Sequence, residues 1–222
     1  MVRLLERASF RRNDPDLFAG LVQACRYCDE LGASMAAHER GCHLDPNLVT
    51  SAAHTHFLLG DYAKSLDCYG NKVGYYLDCA ALAALGDDKA ALAKLREREH
   101  RGGATGAVQA IMRSLRAYLE GDFAECVQAI ELGEPLTRRD PETLYYMARH
   151  LARVNEPERA ITMLTRALEG GFLYATAIMR DPWFVLLRSS VHYVELMRQG
   201  ERKRNELHAT FLAAGGEKLL NV

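Results

Sequence analysis

Along the chain, apolar-periodic segments alternate with polar turns built on one small residue. Residues 57–70, FLLGDYAKSLDCYG, place a leucine pair, a Gly-Asp turn, an aromatic residue and a second apolar-periodic stretch in succession. The phrase returns with variations as DELGASMAAHE, AALGDDKAALA, YLEGDFAECVQ and ARVNEPERAIT. Aligned on the turn, the five copies centre on Gly32, Gly60, Gly86, Gly121 and Asn155, at intervals of 28, 26, 35 and 34 residues. Such intervals mark stacked supersecondary units. In the first unit Leu21, Ala24, Cys25, Cys28 and Leu31 follow helical spacing, and in the fifth Leu144, Met147, Ala148, Leu151 and Val154 do the same. The pattern predicts a helix on each side of each turn.

Side-chain size supports pairing of those helices. Seven positions before the turn stand Cys25, Ala53, Cys79, Ser114 and Ala148; five positions after it stand Ala37, Ser65, Ala91, Cys126 and Ala160. All are small, as the close crossing of two antiparallel helices requires. The spacing, the Gly-Asp-aromatic turn, the small residues and the HLDPN ending at 43–47 resemble the tetratricopeptide repeat over roughly residues 16–170. The match is strongest in LYYMARHLARVNEPERAITMLTRAL, residues 144–168, where Ala148, Ala160 and Ala167 take the family's small positions. The family's tryptophan near the start of each unit is missing. The resemblance implies an all-α fold, an α-solenoid of stacked antiparallel helical hairpins with a C-terminal capping helix.

The expected organisation is one helical-repeat domain over 1–222, with a partial repeat at 3–14, about five repeats at 16–170 and a cap at 171–222. RLLERASFRR at 3–12 reads as the second helix of a repeat whose first helix is absent, since LLERA parallels LTRAL at 164–168. A bare helix there presents apolar surface. The expectation is either a piece of a longer protein or an N-terminal face that forms a homodimer. At the other end Gly170 and Gly171 stop a helix, Asp181 is the expected N-cap and Pro182 the first helical residue. A last helix from about Ser190 to Ala214 is expected to turn Val191, Val194, Met197, Leu207 and Phe211 to one face. The tail, with DPWFVLLR and FLAAGGEKLL, is similar to the closing segment of repeat regions in bacterial signalling proteins such as serine/threonine kinases and nucleotide cyclases. That likeness implies a regulatory module of something larger.

Composition narrows the partners. Apolar residues make up 49% of the chain and charged residues 26%. Lysine plus arginine number 28 against 29 for aspartate plus glutamate, so no global field favours nucleic acid or an anionic membrane. No apolar run reaches the ~18 residues of a membrane span, and the first residues lack the apolar core of a secretory signal; the expected location is cytoplasmic. Six cysteines are too few for a disulfide scaffold, and Cys25, Cys28, Cys79 and Cys126 suit reduced, buried thiols.

Candidate chemistry is sparse. Cys25-x-x-Cys28 with His38 and His43 has a spacing too short for a zinc finger. HERGCH at 38–43 sets its histidines five apart, where one helical face requires four. RGGATGA at 101–107 lacks the Gly-Lys-Ser/Thr ending of a phosphate loop and reads as a helix-linking loop. No metal or cofactor is expected. If the hairpins stack, their first helices line a concave groove, and the resemblance assigns to it Arg26, Asp29, His54, Phe57, Tyr118 and Arg149, flanked by Tyr76, Tyr145 and Arg153. Aromatic and basic side chains of this kind suit an extended peptide or a partner domain. The leading expectation is a non-catalytic protein-interaction scaffold. Its alternative is an enzyme on a helical array, with His54 and Asp29 converging in the concavity; a third is nucleic-acid binding through Arg113, Arg116, Arg138, Arg139 and residues 198–204.

Overall fold

The computed structural model describes residues 1–70, 75–137 and 140–222. Among these, helices alternate with short turns and no strand occurs: α1 (Val2–Phe10), α2 (Pro15–Tyr27), α3 (Leu31–Leu44), α4 (Ala52–Leu59), α5 (Tyr62–Asp67), α6 (Leu77–Ala84), α7 (Asp88–Arg101), α8 (Gly106–Glu120), α9 (Phe123–Gly133), α10 (Pro141–Arg153), α11 (Pro157–Glu169), α12 (Ala175–Arg180), α13 (Val191–Ala213) and α14 (Gly216–Leu220). Short 3-10 segments cover Glu134–Thr137 and Pro182–Leu187. Five helix pairs, α2–α3, α4–α5, α6–α7, α8–α9 and α10–α11, pack as hairpins. RGGATGA is the link between α7 and α8, as its sequence predicts.

One backbone device closes the first helix of every pair. Asp29, Gly60, Gly86, Gly121 and Asn155 have φ of 61°, 83°, 83°, 79° and 62°. The amide after each donates to the carbonyl four residues before it: Glu30 to Cys25, Asp61 to His56, Asp87 to Leu82, Asp122 to Ala117 and Glu156 to Leu151, all at 2.9–3.0 Å. This six-to-one bond defines the Schellman ending, which requires a left-handed residue. The first unit departs from the expected register. Its turn is Asp29, and Gly32 lies inside α3, so Cys28 and Leu31 fall outside α2. Aspartate tolerates the left-handed region because its short side chain bonds locally, and the Asp29 carboxylate accepts from the Thr176 amide at 3.1 Å.

With the register corrected, the residue after each turn is acidic and N-caps the second helix: Glu30, Asp61, Asp87, Asp122 and Glu156. A negative charge there faces the positive end of the helix dipole. Five positions after the turn stand Ser34, Ser65, Ala91, Cys126 and Ala160, each 0% exposed. The Ser34 hydroxyl donates to the Val22 carbonyl at 2.6 Å, and the Ser65 hydroxyl to that of Ala53 at 2.9 Å. These are equivalent contacts between positions plus five and minus seven, and only a short side chain leaves the two backbones near enough for them. Cys25 and Ala37, the expected occupants, are buried one helical turn away.

The chain divides into two compact units. Unit 1 comprises Met1–Cys68, Leu173–Ile178 and Arg198–Val222; unit 2 comprises Tyr69–Phe172 and Met179–Met197. In unit 1, Leu5 and Ala8 of α1, Phe18, Leu21, Val22 and Cys25 of α2, and Ala33 and Ala37 of α3 share a core with Phe211 and Leu220. The N-terminal helix therefore does not present the bare apolar face expected of it: α2 and α14 cover it within the same chain, while Phe10 stays 91% exposed. Of the segment expected as the cap, α14 packs here on α1 and α3, whereas Pro182–Leu187 packs on α10 and α11. Along α13 the buried stripe runs through Tyr193, Leu196, Met197, Gly200 and Phe211, whereas Val191 and Val194 are 74% and 55% exposed. Those two valines sit off the stripe set by the 3.6-residue period, which corrects the expected face. Among the described residues no helix is long and apolar enough to cross a membrane.

In unit 2, α8 and α9 cross closely at Gly133, where an added Cβ would lie 2.2 Å from the Ala110 Cβ. Ala110 cannot rotate away, so Gly133→Val has to separate the helices. The expected cost is about 1–3 kcal/mol, read as a lower urea midpoint, with Gly32→Ala, which has open space around it, leaving the midpoint within error.

Candidate functional site

The site begins on α10. Asp140 caps this helix by accepting from the Glu142 amide at 3.0 Å, and Pro141 opens it. Tyr145 and Arg149, one turn apart, then point to a single acceptor outside the helix. Asp181 Oδ2 accepts from the Tyr145 hydroxyl at 2.7 Å and from Arg149 Nε at 2.6 Å, while its Oδ1 accepts from the Trp183 amide at 2.9 Å. Asp181 is thus the expected N-cap, with Pro182 next, although the turn it opens is 3-10 rather than α. Tyr145, Arg149 and Asp181 are 2%, 0% and 6% exposed.

That anchored turn sets Trp183 on the face of α10. The Arg149 guanidinium carbon lies 4.4 Å from the indole centroid, within cation–π range. Tyr118 of α8 meets the indole at 5.0 Å with a 53° tilt, and the His150 ring lies 5.7 Å from the same indole. Tyr118 also runs nearly parallel to Phe123 of α9, at 6.2 Å and 18°. Its hydroxyl accepts from Nε of Arg153 at 3.1 Å. Trp183 and Tyr118 are half-buried, Phe123 is 49% exposed and Arg153 is exposed. The product is a ledge of three aromatic rings edged by one arginine.

The nine residues assigned to the groove separate into two groups. Tyr118 and Arg153 lie on this ledge. Tyr145 and Arg149 are beneath it, because the 182–187 turn covers the part of α10 that was expected to face a groove. Tyr76 is 4% exposed, its hydroxyl 3.0 Å from His150 Nε2. The other four belong to unit 1. Arg26 is 2% exposed; its Nη1 donates to the Ser51 carbonyl at 3.0 Å and hydroxyl at 2.7 Å, and its Nε to the Tyr174 hydroxyl at 3.2 Å. Phe57 is 3% exposed and packs edge-on against Tyr62 at 5.2 Å. Asp29 is the turn residue already described, with Arg204 3.9 Å from its carboxylate. His54 is half-buried on α4. Trp183 and Phe123 were missed by the repeat register: Trp183 lies beyond the last hairpin, and Phe123 follows a Gly-Asp pair as Tyr62 does.

Beside the ledge sits a buried polar chain. His150 Nδ1 is 2.6 Å from the Ser114 hydroxyl, which is itself 3.1 Å from the Ile111 carbonyl. The bonds close if the ring donates from Nδ1 to Ser114, Ser114 donates to Ile111, and Tyr76 donates to Nε2. A serine and a histidine in contact suggest nucleophile and base, but this direction of donation is the reverse of activation, and both residues are 0% exposed. Burial, then the adjacent Arg149 charge, hold the His150 pKa down to about 3.

Other candidates have structural partners. Arg113 and Arg116 both meet Glu125, at 2.8 and 2.6 Å, and Arg116 reaches Glu99 at 2.8 Å; Arg138 and Arg139 lie outside the described residues. A cleft of about 500 Å³ is lined by Lys94, Arg98 and Arg101 among others, yet Asp78 binds Arg98 at 2.6 Å and Lys94 at 3.6 Å, and Glu97 binds Arg101 at 2.7 Å. Cys25 is in the unit 1 core and Cys28 is half-buried. His38 Nδ1 lies 2.8 Å from the Thr50 hydroxyl and 3.5 Å from Cys42 Sγ. Among the described residues no group of three histidines, cysteines or acids is placed to hold a metal ion. No family model matches the chain, and no curated protein matches it significantly.

Asp181→Ala should leave Arg149 as a buried charge without this carboxylate and free the Trp183 turn. The expected loss is about 3–5 kcal/mol of unit 2 stability, with a red shift of tryptophan emission in the folded protein. The depressed His150 pKa gives a second expectation. Relative to an unfolded value near 6.5, its stabilising contribution is complete above pH ~6.5 and is lost as pH falls toward 3, with a slope approaching ~1.4 kcal/mol per pH unit. Burial also lowers the pKa of His38 and His56, so urea midpoints at pH 7.5 and 5 should be compared between wild type and His150→Gln, whose dependence is expected to be shallower.

Proposed function

We propose that the chain is a non-catalytic protein-interaction module of the tetratricopeptide type, serving as a regulatory part of a larger cytoplasmic signalling protein. The repeated hairpins are the scaffold, and the Tyr118–Trp183–Phe123 ledge with Arg153 is the surface that receives an extended peptide or a partner domain. The observation that carries this reading is the ledge's composition: half-exposed tyrosine, tryptophan and phenylalanine beside an exposed arginine, held by a buried ion pair. Tryptophan, tyrosine and arginine dominate the energetics of protein interfaces because they combine apolar area with directed polar groups, and the two aromatic residues have few rotamers to freeze. Rigid support beneath them lowers the entropic cost of association.

Trp183 is the only tryptophan, so it reports on its own surface. Peptides selected from a random library on the immobilised protein are expected to shift or quench its emission, and to bind at least about tenfold more weakly to Tyr118→Ala (~1.4 kcal/mol). Selected peptides that leave Trp183 emission unchanged and tolerate Tyr118→Ala would place binding elsewhere.

A further inference from the structure

The ledge also carries information about the charge of what binds it. This step rests on the interaction reading above and adds the chemistry of the partner. Arg153 differs from its neighbours in unit 2: Arg96, Arg113, Arg116, Arg159 and Arg166 all lie against glutamates, whereas Arg153 meets no carboxylate among the described residues. Its hydrogen bond is from Nε to the Tyr118 hydroxyl. That bond fixes the plane of the guanidinium and leaves both terminal nitrogens of an exposed group for a ligand. Paired terminal N–H donors match the two oxygens of a carboxylate.

A cationic partner meets two obstacles here. Arg153 repels it at the rim, and the indole face that would attract it already carries the Arg149 guanidinium. Arg149 is itself balanced by Asp181, so of the two arginines at Trp183 and Tyr118 it is Arg153 whose positive charge meets no carboxylate among the described residues. The aromatic surface beside it, Trp183 and Tyr118, offers an apolar contact within one or two residues' reach along an extended chain.

We infer that the ledge recognises an internal peptide segment in which an aspartate or glutamate side chain adjoins an aromatic or large apolar residue, with the carboxylate on Arg153 and the apolar side chain on Trp183 and Tyr118. The test uses synthetic peptides, acetylated and amidated so that the side-chain carboxylate is the sole acid: a series built around Asp-Phe, with Asn-Phe, Lys-Phe and Asp-Ala counterparts, titrated against the full chain by Trp183 fluorescence. Expected is at least tenfold preference for Asp-Phe over each counterpart, a similar loss with Arg153→Gln, and a reversed preference for Lys-Phe with Arg153→Glu. Arg153 is exposed, and far-ultraviolet circular dichroism checks that the variants keep their fold. Peptides that shift Trp183 and lose affinity with Tyr118→Ala, yet are indifferent to the acid or favour lysine, overturn the inference and leave the interaction module standing. Binding that requires a free C-terminal carboxylate overturns it as well. Absence of any Trp183 response, both to this series and to library-selected peptides, removes both readings.

Discussion

Every hairpin in the chain depends on a backbone residue that can turn left-handed without strain. At Asp29, Gly60, Gly86, Gly121 and Asn155 this conformation lets the next amide reach back to a carbonyl that the helix would otherwise leave unpaired. Four further consequences follow from that one bond. The chain reverses within two or three residues, an acid is delivered to the start of the second helix, the two helices are brought into contact, and the position five after the turn has room only for a small side chain. Ser34 and Ser65, bonded to the opposite backbone at equivalent positions, are the clearest marks of how close the crossing is.

Much of this is legible in the sequence, because turn chemistry and side-chain size act locally. Gly60, Gly86, Gly121 and Asn155 were found by their neighbours, and the hairpin pairs follow from them. The first turn was misplaced by three residues because Gly32 drew the alignment, although Asp29 does the work of glycine through its polar side chain. What local pattern could not convey was which face would be covered. The register gave Tyr145 and Arg149 to an open groove, yet a 3-10 turn more than thirty residues later in the chain lies over them. Nothing within a helix announces a non-adjacent segment that will bury it. The same limit applies to α1, whose cover comes from Phe211 and Leu220.

The candidate site shows how buried and exposed polar groups divide their roles. Asp181 gathers a tyrosine, an arginine and a backbone amide in the interior, where leaving any of them unpaired is costly. Their bonds to one carboxylate anchor the Trp183 turn to α10. The groups at the rim, Arg153 and the Tyr118 hydroxyl, are held less tightly and keep hydrogen-bonding capacity to offer. Sequence identified Tyr118 and Arg153 by position in the repeat, while Trp183 and Phe123 joined them through packing between elements far apart in the chain.

The composition of unit 1 has a consequence for biosynthesis. Its core combines residues 1–68 with residues 198–222, and all of unit 2 is translated in between. At roughly 5–20 residues per second, the apolar faces of α1 and α2 wait on the order of ten seconds for their partners to leave the ribosome. Unit 2 can consolidate much of its framework in that interval, whereas Leu5, Phe18 and Leu21 must be shielded by transient contacts or by a chaperone until α14 arrives.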